Sequence, residues 1–259
     1  MGWVQGTFPW RGAGQRPGLS DGPMATRPVS SPDHRRHATL PSMIPPEQAG
    51  ALRRAARRYH DRGRFARHYV ASKLRRDPLH ADLLSMGDPL GHVVDIGCGR
   101  GQLAALLLEA GLADHVTGLD WNRAHLDQAT AALTGLPFEA RPRDLETDQS
   151  VPDADTVILI DVLYQLTTGA QHRLIEAAGQ AARRCLLIRT LDRTLGKRGL
   201  FATAMEHLGR RLWPSSGAHV NPLTVLAIVA RMTAAGFIVE TRPGSRGTPF
   251  ANVLLVGRR

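Results

Sequence analysis

The stretch from Val93 to Leu108, VVDIGCGRGQLAALLL, constrains the fold more than any other part of the chain. Val93, Val94 and Ile96 make a short apolar run of the kind that forms a strand buried on both faces. Gly97, Gly99 and Gly101 follow at alternate positions, and the Ala/Leu-rich remainder reads as a helix. A glycine-rich turn between strand and helix lets backbone N–H groups and the positive helix end approach a ligand closely. The spacing narrows the choice of ligand. Dinucleotide-binding turns follow G-x-G-x-x-G, and phosphate loops end in Gly-Lys-Ser/Thr. Here the third glycine comes one residue early, no lysine follows, and Asp95 stands just before the first glycine. The plain alternative is a strand–turn–helix connection that holds no ligand.

Beyond this stretch the pattern alternates. His115–Asp120 reads as a second strand and Arg123–Leu133 as a helix. A third strand lies within Pro137–Leu145 and a fourth within Thr156–Leu166, with Asp161 at its end. A helix over Ala170–Ala182 leads to a fifth strand, Arg184–Asp192. A less regular segment from Arg193 to Asn221 follows, with a helix expected over Phe201–Leu212 and another over Pro222–Ala235. The chain closes with FIVETRP and FANVLLVGRR, joined by a short turn. Strand–helix alternation implies a parallel sheet with helices on both faces, and a terminal pair joined by a short turn must be antiparallel. The fold class is therefore α/β: a doubly wound, mostly parallel seven-stranded sheet with an antiparallel last strand.

The D-x-G-x-G-x-G pattern from Asp95 to Gly101 resembles motif I of the class I S-adenosylmethionine (SAM)-dependent methyltransferases, and the strand count with a reversed last strand resembles their sheet over roughly Ala51 to Arg259. SAM is then the expected cofactor. In open α/β sheets ligands sit beyond the carboxyl ends of the strands. Asp95, Gly97, Cys98, Gly99 and Gly101 close the first strand. Asp120 ends the second, where a carboxylate accepts ribose hydroxyls, each such charged hydrogen bond being worth ~1.5–3 kcal/mol. Trp121 follows and offers an apolar face to adenine. By the resemblance, Asp144 and the Leu145 backbone meet the adenine edge, and Asp161 lies over the methionyl part. Asp161-Val162-Leu163-Tyr164 lacks the prolines of the D/N-P-P-Y motif of amino-methylating members and looks more like the D-V-L-H-x-L form of small-molecule methyltransferases.

A sulfonium methyl is already electrophilic, so alignment and desolvation carry most of the catalysis, and a base is needed only where the acceptor must lose a proton. Tyr164 and His219 are the candidates for that base, with His207 a weaker third. Arg189 ends the fifth strand and either meets an anionic substrate group or pairs with a carboxylate.

The formal charge of +10 divides unevenly. Residues 1–76 hold 15 Lys/Arg against 4 Asp/Glu, and the remainder holds 18 against 19. The core is near neutral, so nucleic acid, which calls for cations flanking the cleft, is not the expected partner. Residues 1–42, rich in Gly, Pro, Ser and Arg, read as a disordered extension, with Met24 and Met43 as alternative start positions. Residues 43–88 read as a basic helical cap, with Asp77-Pro78 starting a third helix, and residues 89–259 as the SAM-binding domain with an irregular insert at about 193–221. The arginines within 53–76 form either a solvated face or a contact for an acidic protein or anionic lipid. No apolar run reaches the ~18–20 residues of a membrane span, and the first residues lack the apolar block of a secretory signal, so a cytoplasmic location is expected. Cys98 and Cys185 support no disulfide framework, and no ligand spacing points to a metal. The expected activity is methyl transfer from SAM to a small or carrier-bound metabolite. The alternatives are an RNA methyltransferase gripping phosphates with its basic helices, and a SAM-binding module without catalysis.

Overall fold

The computed structural model describes residues 46–192, 221–244 and 251–259. The expected extension and most of the expected insert, with the helix over Phe201–Leu212, His207 and His219, lie outside the described residues. Seven strands form one sheet: β1 (Gly91–Ile96), β2 (Ala113–Asp120), β3 (Phe138–Pro142), β4 (Ala154–Ile160), β5 (Ala182–Leu191), β6 (Ile238–Pro243) and β7 (Asn252–Arg258). Their order is β3-β2-β1-β4-β5-β7-β6, with β7 antiparallel to both neighbours and all the other pairs parallel. The order reverses between β1 and β4, which opens a crevice at the carboxyl ends of those strands.

Side-chain alternation along the strands sends residues to two faces. Val93, Ile158, Leu187 and Leu254 point to one apolar cluster, and Val94, Val157, Leu159, Ile188 and Leu255 to the other. The first face is covered by α1 (Pro46–Arg57), α2 (Arg64–Arg76), α3 (Pro78–Ser85), α4 (Gln102–Glu109) and α5 (Arg123–Ala132). The second is covered by α6 (Thr168–Ala181) and α7 (Val225–Ala234). Strand β4 stops at Ile160 because Asp161 adopts φ 60°, in the left-handed region, and the next residues coil into a 3-10 turn, Leu163–Gln165.

The N-terminal helices belong to the first face. Ala51, Ala55 and Tyr59 are buried from α1 and the turn after it, as are Val70 and Leu74 from α2. Asp77 caps α3 through the Leu79 N–H, with Pro78 in the first turn, as the sequence leads one to expect. Three arginines fasten this layer to helix ends beneath it. Arg54 donates to the Glu109 carbonyl at 2.5 Å and pairs with its carboxylate, which Arg58 also engages. Arg58 reaches the Thr134 carbonyl at 3.2 Å and Arg62 the Ala131 carbonyl at 2.5 Å. Cations at the last turns of α4 and α5 satisfy carbonyls that have no partner within the helix and oppose the negative dipole end. Part of the basic N-terminal surface is therefore fastening rather than a free face. No helix among the described residues is long and apolar enough to cross a membrane.

Candidate active site

The glycine turn after β1 is built for close approach. Gly97 has φ 75° and Gly99 φ 55°, conformations that side chains rarely adopt. A Cβ on Gly97 would lie 2.9 Å from Val162 Cγ2, so the turn and the end of β4 touch there. Nothing lies within 4 Å of the corresponding position on Gly99, which faces open space. Gly101 is instead a packing position, because a Cβ there would meet Leu133 and Ala129 at 2.8 and 2.9 Å. From above, the buried Tyr59 hydroxyl donates to the Arg100 carbonyl at 2.7 Å and pins the turn to α1.

Asp120 ends β2 and is 7 % exposed. Its Oδ2 accepts from Gly99 N–H and its Oδ1 from Asn122 N–H, both at 2.9 Å. A carboxylate has about four acceptor positions. Two are used inside the protein, and the others are available to a pair of hydroxyls. The carboxylate therefore shapes the turn and is ready to bind at its edge.

A cavity of about 590 Å³ opens at this end of the sheet. From the expected residues it is lined by Gly97, Gly99, Asp120, Trp121, Asp144, Leu145 and Asp161. Trp121 stands 71 % exposed on the rim. Asp144 turns back to accept from the Glu146 N–H at 3.0 Å, which orders the loop after β3. Cys98 has its thiol against Gly118, in the core, and burial holds its pKa well above the ordinary value; only its backbone is left for a ligand.

A smaller cavity, of about 40 Å³, adjoins Gly97 and is lined by Lys73, Asp77, His80, Asp95 and Gln102 among others. Three buried acceptors from these residues have no hydrogen-bond partner: Asp95 Oδ2, Gln102 Oε1 and His80 Nδ1. Burial, reinforced by the Asp120 charge, pushes the Asp95 carboxyl up to about 7. Burial pulls His80 down to about 4 and keeps its ring neutral near pH 7. Lys73 lines both cavities. An orphaned buried polar atom costs about 1–3 kcal/mol, so three around one small space form a place suited to a cationic donor group.

Asp161 and Arg189 meet. Arg189, 2 % exposed, donates through Nε to Asp161 Oδ1 at 3.0 Å and through Nη2 to its Oδ2. The same guanidinium holds Asp77 at 2.5 and 2.8 Å. Of the two roles open to Arg189 in the sequence, the structure selects carboxylate pairing, with two partners at once. Burial alone would raise the Asp77 carboxyl, but the Arg189 hydrogen bonds and charge outweigh it and hold its pKa below the usual carboxylate range. The Asp161 carboxylate is thereby engaged, and what it offers a ligand is its strained backbone at the cavity wall. Tyr164 does not line the cavity, and burial beside Asp161 pushes its phenol well above the ordinary value, which disfavours a phenolate base.

Several lining residues escaped the sequence reading. Tyr69 and Lys73 sit one helical turn apart on α2 and both face the large cavity. Arg100 lies 5.4 Å over the Tyr69 ring and binds Gln128 at 2.8 Å. Glu146 accepts from the Thr167 N–H at 3.0 Å and joins the β3 loop to the start of α6. The i, i+4 spacing of Tyr69 and Lys73 was visible in the sequence, but not the direction in which that face points.

Residues 93–185 match the family model described as a methyltransferase domain. No curated protein sequence matches the chain significantly. Among solved structures, the magnesium protoporphyrin IX methyltransferase ChlM of Synechocystis PCC 6803, crystallised with S-adenosylhomocysteine (SAH), is similar at TM-score 0.56 and 24 % identity, over 82 % of this chain and 95 % of that one. A SAM-dependent methyltransferase of Mesorhizobium loti is similar at TM-score 0.55 and 18 % identity, over 69 % and 97 % of the two chains. An O-methyltransferase family protein of Burkholderia thailandensis is similar at TM-score 0.54 and 20 % identity, over 82 % and 67 %.

Proposed function

We propose that this chain, which carries a class I SAM-dependent methyltransferase domain, methylates a small or carrier-bound metabolite. The observation that carries the reading is the pairing of two neighbouring features. Asp120 has acceptor positions to spare beside an open Gly99, and three orphaned acceptors surround the small cavity next to Gly97. The first suits a ribose. The second suits an amino-acid ammonium, with Lys73 as the cation for its carboxylate. SAM supplies an electrophilic methyl on a sulfonium. The chain's own residues then act by holding and orienting. Asp120 fixes the nucleoside end, Trp121 and Leu145 flank a ring with apolar surface, and Asp95, Gln102 and His80 receive the amino-acid end. Expelling water from such a cavity strengthens every polar contact inside it and brings reactants to near-attack distance. The missing prolines after Asp161 and the small-molecule substrate that ChlM is named for both support a metabolite acceptor.

The test is ligand-linked stability. SAH should raise the melting temperature of the full chain, by an amount that grows with concentration, and Asp120→Ala should abolish the rise. Absence of any rise with the unaltered protein refutes the reading.

A further inference from the structure

Apart from the half-buried Arg67, the cations of α2 divide into two sets. Lys73 faces the large cavity, one turn from Tyr69. Arg64, Arg75 and Arg76 are exposed on the adjacent strip of the same helix. At 3.6 residues per turn they fall within one third of the circumference, opposite the buried Val70 and Leu74. Unlike Arg54 and Arg58, which are spent on Glu109, none of these arginines forms an ion pair with a described residue. The strip from Arg64 to Arg76 runs about 18 Å along the helix, as a 1.5 Å rise per residue gives. A row of like charges with no carboxylate partner among the described residues repels itself and is best satisfied by an external anion.

We propose that this outer strip of α2 is a docking surface for an acidic protein that delivers a tethered acceptor to the cavity, a proposal that rests on the methyl-transfer reading above. Three observations favour a protein over other polyanions. The strip borders the cavity-facing side of the same helix, so a partner seated on it lies within reach of the opening. The sheet side of the cavity is lined with the carboxylates of Asp120, Asp144 and Glu146. A nucleic acid crossing the opening would meet them after leaving the arginines, whereas a protein that stays on α2 and sends only an arm inward would not. A lipid surface, for its part, calls for apolar side chains inserted among the cations; the exposed aromatic beside the strip, Tyr69, faces the cavity beneath Arg100, and Val70 and Leu74 are turned inward.

Binding of the immobilised full chain to a purified acidic acyl carrier protein in its holo form provides the test, with phosphatidylglycerol vesicles and a short single-stranded RNA as rival probes. The expected result is carrier binding that weakens steeply with salt and falls by about tenfold or more in the triple variant Arg64→Glu/Arg75→Glu/Arg76→Glu. The triple lysine variant should keep it, because charge rather than guanidinium geometry is at work. The SAH-dependent thermal shift should be the same in all three proteins, which shows that the site is folded. No carrier binding, carrier binding indifferent to charge reversal, or vesicle or RNA binding in place of carrier binding each overturns the proposal. Loss of the SAH response in the unaltered chain would instead refute the cofactor reading, and the carrier measurement separates the two failures.

Discussion

Cofactor affinity should depend on pH through Asp95. In the free protein its carboxyl titrates near 7, raised by burial and by Asp120. A cationic amino group entering the adjacent cavity requires the ionised form. At pH 5.5 a group with that pKa is about 3 % ionised, and at pH 7.0 it is half ionised, so SAH affinity should rise about fifteenfold, or about 1.6 kcal/mol. The ligand's own α-amino group, more basic than a peptide α-amine of pKa about 7.7–8.0 because a carboxylate stands beside it, stays protonated over this range. His80, pulled down to about 4, is neutral throughout and does not contribute. Titration calorimetry at about pH 5.5, 6.0, 6.5 and 7.0, repeated in buffers of different ionisation enthalpy, reads both affinity and protons released. About one proton should leave per SAH bound at the lowest pH and about half a proton at the highest. Asp95→Asn should bind weakly and without the pH slope. A flat affinity in the unaltered protein, or an equal slope in Asp95→Asn, refutes the assignment of the ammonium to this cavity. The linkage also has a sign in the ligand-free protein. A carboxyl with a raised folded-state pKa contributes its stability fully below about pH 4 and loses it as pH rises toward 7, so Asp95→Asn should gain on the unaltered chain in thermal stability across that window.

Arg189→Met leaves two half-buried carboxylates without their cation, which should cost about 3–5 kcal/mol and lower the melting temperature by about 6–20 °C; a loss of a degree or two would show that solvent compensates. Because the Asp77 pKa is held below the usual range, the stability it provides is present above about pH 4 and lost as pH falls below it. Asp77→Asn should therefore flatten the acid limb of a stability–pH curve. Tyr59→Phe removes the hydroxyl that pins the glycine turn and should cost about 1–3 kcal/mol, measured by urea unfolding, with a smaller SAH-induced shift. Gly99→Ala meets no atom within 4 Å but forces φ 55° on a side-chain residue. It should destabilise the free protein by about 1–2 kcal/mol and reduce SAH affinity by more than that, since the added methyl occupies the open side.

What the sequence makes legible is what local pattern controls. Val93 to Leu108 announces a strand, a turn and a helix in consecutive residues, and Asp120 follows from the next strand's end; none of these needs knowledge of distant contacts. Asp77 as a helix cap is equally local. The partners of Arg189 are not, since Asp77 and Asp161 lie 112 and 28 residues away and only the packing of β4, β5 and the α2–α3 junction brings them together. For the same reason Asp161 reads as a ligand-facing acid in sequence, yet its carboxylate is turned to the arginine. The arginines of 53–62 read as either a solvated face or a contact for an acidic partner, but Arg54, Arg58 and Arg62 cap helices that begin and end far along the chain. Tyr69 and Lys73 share a face by arithmetic, but which way that face looks is decided by the burial of Val70 and Leu74.

The separation of 112 residues between Asp77 and Arg189 has a bearing on synthesis. At about 5–20 residues per second, the arginine leaves the ribosome about 6–22 s after its first partner. During that interval α1 can already fasten to Glu109, but the junction of α2 and α3 has no cation to hold it over the growing sheet. Nascent chains stalled before β5 should therefore be cut by protease near residues 77–88, and protection should appear only once that strand has emerged.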